Sequence, residues 1–170
     1  MAKKRVSLRE FQASLSQRLT SAQRGETRRA LLGVASGPDL WLLDLSDSGE
    51  VLPLPTLTTV PLTKPWFAGI ANVRGTLYSV VDFSAFRGGE LTRRNANARL
   101  LLVGARHGIN SALLVDQTLG LKNLDDLEPA EAVEGPIWAG SRHQDAQGHK
   151  WTLLNLRELF ADPSFLDVGL

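Results

Sequence analysis

At 170 residues and 18.5 kDa the chain has room for one domain, or for two small lobes sharing a core. Apolar residues at 43% and charged residues at 22% are ordinary globular usage, so a packed interior is expected. The absence of cysteine excludes disulfides, thiolate nucleophiles and cysteine-ligated zinc or iron–sulfur centres. No run approaches the ~20 apolar residues of a membrane helix. The basic start, Met1–Arg5, leads into an amphipathic stretch and not a continuously apolar one, so the expectation is a soluble cytoplasmic protein without a secretory signal.

Charge is unevenly spread. Residues 1–30 hold eight basic side chains against Glu10 and Glu26, a net +6 that leaves −5 on the rest of a chain whose total is +1. A basic arm on an acidic body fits nucleic acid or an acidic protein surface, and it equally fits a solvated helix end.

The first predicted element is a helix. Ser7 and Glu10 stand in the S-x-x-E capping-box arrangement, and Leu8, Phe11, Leu15 and Leu19 then recur at spacings of three and four. That stripe needs a surface to dock on, either the chain's own body or a partner.

After Gly25 short strands take over. Ala30–Val34 and Leu40–Leu45 flank the Ser36-Gly37-Pro38-Asp39 turn. Glu50–Leu54, crowded by Pro53, Pro55, Pro61 and Pro65, reads as an edge strand or extended connection. Trp66–Val73 and Leu77–Val81 are strands joined at Arg74-Gly75, and Phe83–Phe86 is a single helical turn. Arg99–Val103 and Ile109–Val115 form a hairpin about Arg106-His107-Gly108. Leu119–Leu124, Pro136–Gly140 and Trp151–Leu154 are further strands, the last two joined by a polar loop around Asp145–Gly148. Asn155–Ala161 turns helical and Pro163 stops it. Many short strands with turns every eight to twelve residues argue for small antiparallel barrels. The likeness of Leu77–Asp82 to Ser111–Asp116 suggests that two similar barrels repeat along the chain.

Catalytic patterns are sparse. Asp82 and Asp116 each end an apolar strand with a hydroxyl two residues on, which invites an aspartic-protease comparison. Phe83 and Gln117 occupy the positions where that chemistry needs the hydroxyl, so both aspartates are read as structural caps of turns. His107, His143 and His149 lack metal-ligand spacing. There is no G-x-S-x-G elbow, and Gly33 and Gly37 are not followed by the Lys-Ser/Thr of a phosphate loop. Trp41, Trp66, Trp138 and Trp151 are read as core or interface, not as base-stacking platforms. No catalytic residue, metal ligand or cofactor is assigned, and a binding module is the simplest reading.

The stretch Pro65-Trp-Phe-Ala-Gly-Ile-Ala-Asn-Val-Arg-Gly-Thr-Leu-Tyr-Ser-Val-Val-Asp82 resembles the signature of the CheW family: a proline, an apolar run with glycine, Asn-Leu-Arg-Gly, a strand and a terminal aspartate. Asn72, Arg74, Gly75 and Asp82 match, with Val73 in place of leucine. Arg99–Val103, Ile109–Asp116, Gly120–Leu124 and Trp151–Phe160 resemble later family strands and the closing helix, and Glu50-Val51 falls where members carry Glu-Ile or Glu-Val. The resemblance covers about residues 29–162. Within the family, the Gly-Ile-Ala-Asn-Val-Arg-Gly wording, the N-terminal extension and Phe165–Val168 are most similar to the PilI-type adapters of the type IV pilus (twitching motility) pathway.

The resemblance implies a mainly β fold of two small five-stranded SH3-like barrels at residues 29–170, with an N-terminal amphipathic helix at 1–28 and a C-terminal helix. It implies a non-enzymatic adapter of a two-component chemotaxis system, cytoplasmic and associated with membrane-bound receptor arrays. The implied partners are the regulatory domain of a CheA-type histidine kinase and the cytoplasmic tip of a methyl-accepting chemoreceptor, docked in a groove between the barrels. Neither nucleic acid nor direct membrane insertion is expected. Glu50 and Arg74 match family positions implicated in partner binding, while Asn72, Gly75, Asp82 and Asp116 are read as structural. Arg74 has a second reading, as an internal partner of Asp82 or Glu50. Ser48, where the family is commonly apolar, and the proline-rich 53–65 stretch depart from the pattern. The rival function is a nucleic-acid-associated β-barrel protein that uses the basic arm.

Overall fold

The computed structural model describes residues 12–13, 30–44, 46, 48–103 and 108–170. The predicted N-terminal helix, the basic arm, and Arg106 and His107 of the predicted turn therefore lie outside the described residues, apart from Gln12 and Ala13, which are helical. Two β-sheets make up the body. One, sheet A, has the order β8-β1-β2-β11-β10-β9 and the other, sheet B, the order β3-β6-β7-β5-β4. In chain order the strands are β1 Ala30–Ser36, β2 Asp39–Asp44, β3 Ser48–Pro53, β4 Phe67–Val73, β5 Thr76–Asp82, β6 Arg99–Val103, β7 Ser111–Val115, β8 Gln117–Asn123, β9 Glu128–Pro129, β10 Ala139–Gln144 and β11 Lys150–Leu154. Short helices follow β5 (α1, Phe83–Phe86) and β11 (α2, Leu156–Ala161; α3, Pro163–Leu166).

Both sheets curl until their edges meet. In sheet B the chain leaving β3 returns along β4: the Thr58 amide donates to the Ile70 carbonyl at 2.8 Å, and the Ile70 amide to Thr58 at 2.9 Å. Gly69 makes this approach feasible. It sits at φ +133°, and a Cβ there would lie 2.4 Å from the Thr58 carbonyl oxygen. In sheet A the edges are β8 and β9, separated only by the 3-10 turn Leu124–Asp126. One bent stretch thus serves both edges, so the six-stranded sheet is built from five chain segments, as an SH3-like barrel requires.

The apolar strands look continuous in sequence because the central ones are buried on both faces. Their alternation sorts side chains into three layers. Leu100, Leu102, Ala112, Leu114 and Val80 fill the interior of barrel B. Leu31, Leu42, Leu127 and Trp151 fill barrel A. The intervening positions Leu32, Val34, Trp41, Leu43, Val81, Leu101, Val103, Leu113 and Val115 meet between the barrels, joined by Phe83, Trp138, Leu154, Leu156, Leu159, Phe160 and Phe165. A one-residue register slip would exchange the middle layer with an interior, so the pattern fixes the pairing strongly.

Two expectations need correction. The likeness of Leu77–Asp82 to Ser111–Asp116 does not mark equivalent strands of two barrels. They are β5 and β7, parallel neighbours in one sheet, with Val80 opposite Ala112 and Val81 opposite Leu113. Shared burial on both faces produces the shared wording. The strand expected at Pro136–Gly140 begins only at Ala139 and runs to Gln144. The Ala139 amide donates to the Pro136 carbonyl in a turn, and Ile137 is 80% exposed, so its apolar letter reports no core position.

Pro163 ends α2 as expected and also begins α3, whose N-cap Asp162 accepts from the Ser164 amide (2.9 Å) and hydroxyl (2.6 Å). The tail beyond α3 straps onto barrel B: the Lys64 amide donates to the Val168 carbonyl and the Leu170 amide to the Leu62 carbonyl.

Candidate functional site

The β4–β5 hairpin carries the signature residues. Its two-residue turn is Arg74-Gly75, with φ +52° and +85°, the doubly left-handed geometry that matches the twist of the flanking strands. Asn72 enforces it: its Oδ1 accepts the Gly75 amide at 3.0 Å. Arg74 is thus a non-glycine residue held in a conformation glycine prefers, a form of strain that recurs at functional positions.

Arg74 reaches from this turn to Glu50 on β3, with Nη2 donating to Oε2. The strands concerned lie at opposite ends of the sheet order, so the contact exists only because barrel B closes. Both side chains remain exposed, 69% for Arg74 and 42% for Glu50, so the attraction is screened and contributes little to stability. Neighbouring Leu77 is 58% exposed and Val51 36%. An exposed charge pair on strands that also expose apolar side chains has the composition of a recognition patch.

Asp82 and Asp116 are engaged elsewhere, each with its own partners. Asp82 is 2% exposed and N-caps α1 through the Ala85 amide at 3.2 Å. It also accepts the Thr92 amide and hydroxyl, both at 2.8 Å. Asp116 accepts the Gly37 amide at 2.6 Å. Neither environment resembles a shared-proton carboxylate dyad.

Barrel A carries a second polar cluster that sequence reading passed over. Asp145 opens the β10–β11 turn and accepts the Trp151 indole N–H (3.0 Å) and the Gln147 and His149 amides (3.0 and 2.9 Å), with the His149 ring 3.2 Å away. The indole hydrogen bond foremost, then the His149 amide and ring, outweigh desolvation and hold its pKa at about 2. Asp162 is lowered likewise, first by the Ser164 hydroxyl and amide and further by the Trp138 indole N–H at 3.0 Å. A tryptophan six residues from an aspartate at a predicted turn was the available signal. His143 hydrogen-bonds Ser141 at 2.9 Å. Among the described residues no three His, Asp or Glu side chains gather as a metal would require, and no helix is long and apolar enough to cross a membrane.

A cleft of about 590 Å³ opens between the barrels, with Gly37 and Pro38 on one side and Ser84, Leu91 and Arg93 on the other.

The CheW-like domain family matches residues 30–164. The protein PilI of Pseudomonas aeruginosa is 30% identical over 145 residues, covering 82% of this chain and 79% of PilI. The crystal structure of the scaffolding protein TtCheW from Thermoanaerobacter tengcongensis superposes with a TM-score of 0.67 at 20% identity, covering 81% of this chain and 95% of that one.

Proposed function

The chain belongs to the CheW-like domain family, and from that premise we propose that it is a non-enzymatic adapter. It links a chemoreceptor's cytoplasmic tip to the regulatory domain of a CheA-type histidine kinase, in the pathway that controls type IV pili. The observation that carries this reading is the family match across residues 30–164. Identity to PilI over 82% of the chain supports the assignment to the pilus pathway.

Within this reading the Glu50–Arg74 face contacts a partner. Both side chains are exposed, Arg74 sits on a strained turn, and exposed Val51 and Leu77 lie on the strands that carry Glu50 and follow that turn. An interface would desolvate it, and a charge pair nearly worthless in water then becomes decisive for register and affinity.

The test measures binding of the purified full chain to the kinase regulatory domain and to a soluble receptor fragment. Glu50→Ala and Arg74→Ala are each expected to lose about tenfold or more in affinity for one of these, the scale of a truncated interfacial charge. Their stability should fall by no more than about 1 kcal/mol. The swap Glu50→Arg with Arg74→Glu keeps the internal pair but reverses the charges a partner meets, so it should bind no better than the single variants. A swapped protein that binds like wild type assigns the pair to turn stability alone. Failure of wild type to bind either partner overturns the adapter reading itself.

A further inference from the structure

The three-layer core leaves a question of geometry. Burial of apolar area is non-directional, so the area buried in the shared middle layer holds the two barrels together but does not by itself specify one angle between them. Directional ties cross as well: the C-terminal tail straps onto barrel B through Lys64 and Leu62, and a second tie is made at the β1–β2 hairpin. Arg87, the residue that ends α1 on barrel B, sends its guanidinium across to the β1–β2 hairpin of barrel A. Nη1 donates to Asp39 Oδ2 at 2.6 Å, and Nη2 donates to the Ser36 carbonyl at 2.7 Å and to its hydroxyl at 3.0 Å. The group lies over the rings of Trp41 (5.0 Å) from barrel A and Phe83 (4.8 Å) from barrel B.

Only 13% of the Arg87 side chain is exposed, and its Nε is buried without a hydrogen-bond partner. Burying a guanidinium incompletely paired is unfavourable, and apolar side chains would hold the layer at least as well. What the charge adds is register, because its planar fork accepts only one arrangement of Asp39 and Ser36. The same hairpin is gripped twice more: Asp116 takes the Gly37 amide, and Gly37 lies so close to α1 that a Cβ would stand 2.9 Å from Ser84 Oγ. The hairpin joins β1 and β2, two interior strands of sheet A, and its tip forms one wall of the 590 Å³ cleft.

We propose that Arg87 is a positioning residue that sets the angle of barrel A against barrel B, and with it the width of the cleft between them. The inference stands on contacts within this chain; its consequence for signalling rests on the adapter reading, since a partner gripping both barrels would meet a misplaced second half.

The test measures the distance between spin labels on the full-length protein. The chain has no cysteine, so Leu77→Cys on barrel B and Leu121→Cys on barrel A, both exposed, give two unique attachment points. With Arg87 present a single narrow distance distribution is expected. Arg87→Ala should broaden it or shift its mean, Asp39→Asn should do so less, and Arg87→Lys should fall between, since an ammonium reaches Asp39 but cannot fork to Ser36. Where Arg87→Ala does not fold, Asp39→Asn and Arg87→Lys decide. A residue that served stability alone would lower the melting temperature and leave the folded distribution unchanged. Unchanged distributions in the folded variants overturn the proposal. Because no partner is added, this outcome is independent of whether the adapter reading holds.

Discussion

The two barrels solve the same packing problem with different materials. Barrel B is one continuous piece of chain, β3 to β7, and its interior is tight and aliphatic, with Ala68, Ala71, Ala98 and Ala112 interleaved among Val80, Leu100, Leu102 and Leu114. Barrel A is assembled from two segments, β1–β2 and β8–β11, around one large ring, Trp151. Gly33 makes room for that ring, since a Cβ there would meet the indole at 3.0 Å. B relies on close backbone approach, and A on an indole whose N–H is moored to Asp145. The lesson is that a small barrel closes either by shrinking its side chains or by filling its centre with one large group and giving that group's polar atom a partner.

The sharpest way to break the comparison is to empty each interior. Trp151→Ala should cost about 3–5 kcal/mol and Leu114→Ala about 2–5 kcal/mol, read from denaturant unfolding. Because Leu113 and Trp41 belong to a layer shared by both barrels, each variant should still unfold in one transition. Two separated transitions would mean that the barrels are independent units joined by a weak seam.

A smaller effect is expected where barrel B closes. Gly69→Ala puts a methyl group against the Thr58 carbonyl in a backbone conformation that L residues resist. The expected cost is about 1–3 kcal/mol, with amide exchange accelerating at Ile70, which donates to Thr58. Fast exchange confined to barrel A instead would refute this account of closure.

The smallest effect is electrostatic and belongs to barrel A. The folded pKa of Asp145 is about 2, below its ordinary 3.8, and that of Asp162 is lowered too. Groups of this sign contribute stability above pH about 4 and lose it as pH falls toward about 2. Thermal melts across that range should show a decline that flattens in Asp145→Asn. An equal decline in Asp145→Asn would assign acid sensitivity to other carboxylates.

Much of this was legible because local rules decide it. The Arg74-Gly75 hairpin follows from turn chemistry, and the Phe83–Phe86 turn from a strand-ending aspartate able to cap it. The polar strand Ala139–Gln144 was misplaced because its pattern alternates poorly. It pairs with β11 across a register shift, and its partner β9 is only two residues long. The contact between Glu50 and Arg74 was one of two internal pairings left open; the alternative, Asp82, is instead bound to Thr92.

What the sequence by itself determined is most of the strands, the turns between them and the family, since these rest on alternation, on glycine and asparagine at particular positions, and on motifs in fixed order. Only the tertiary structure decided which strands share a barrel, that β5 and β7 are neighbours instead of counterparts, and that Arg87 reaches the hairpin of the other barrel. The physical reason is that a buried strand reads alike whichever neighbour buries it. The choice among neighbours is made by closure, and closure joins residues far apart in the chain.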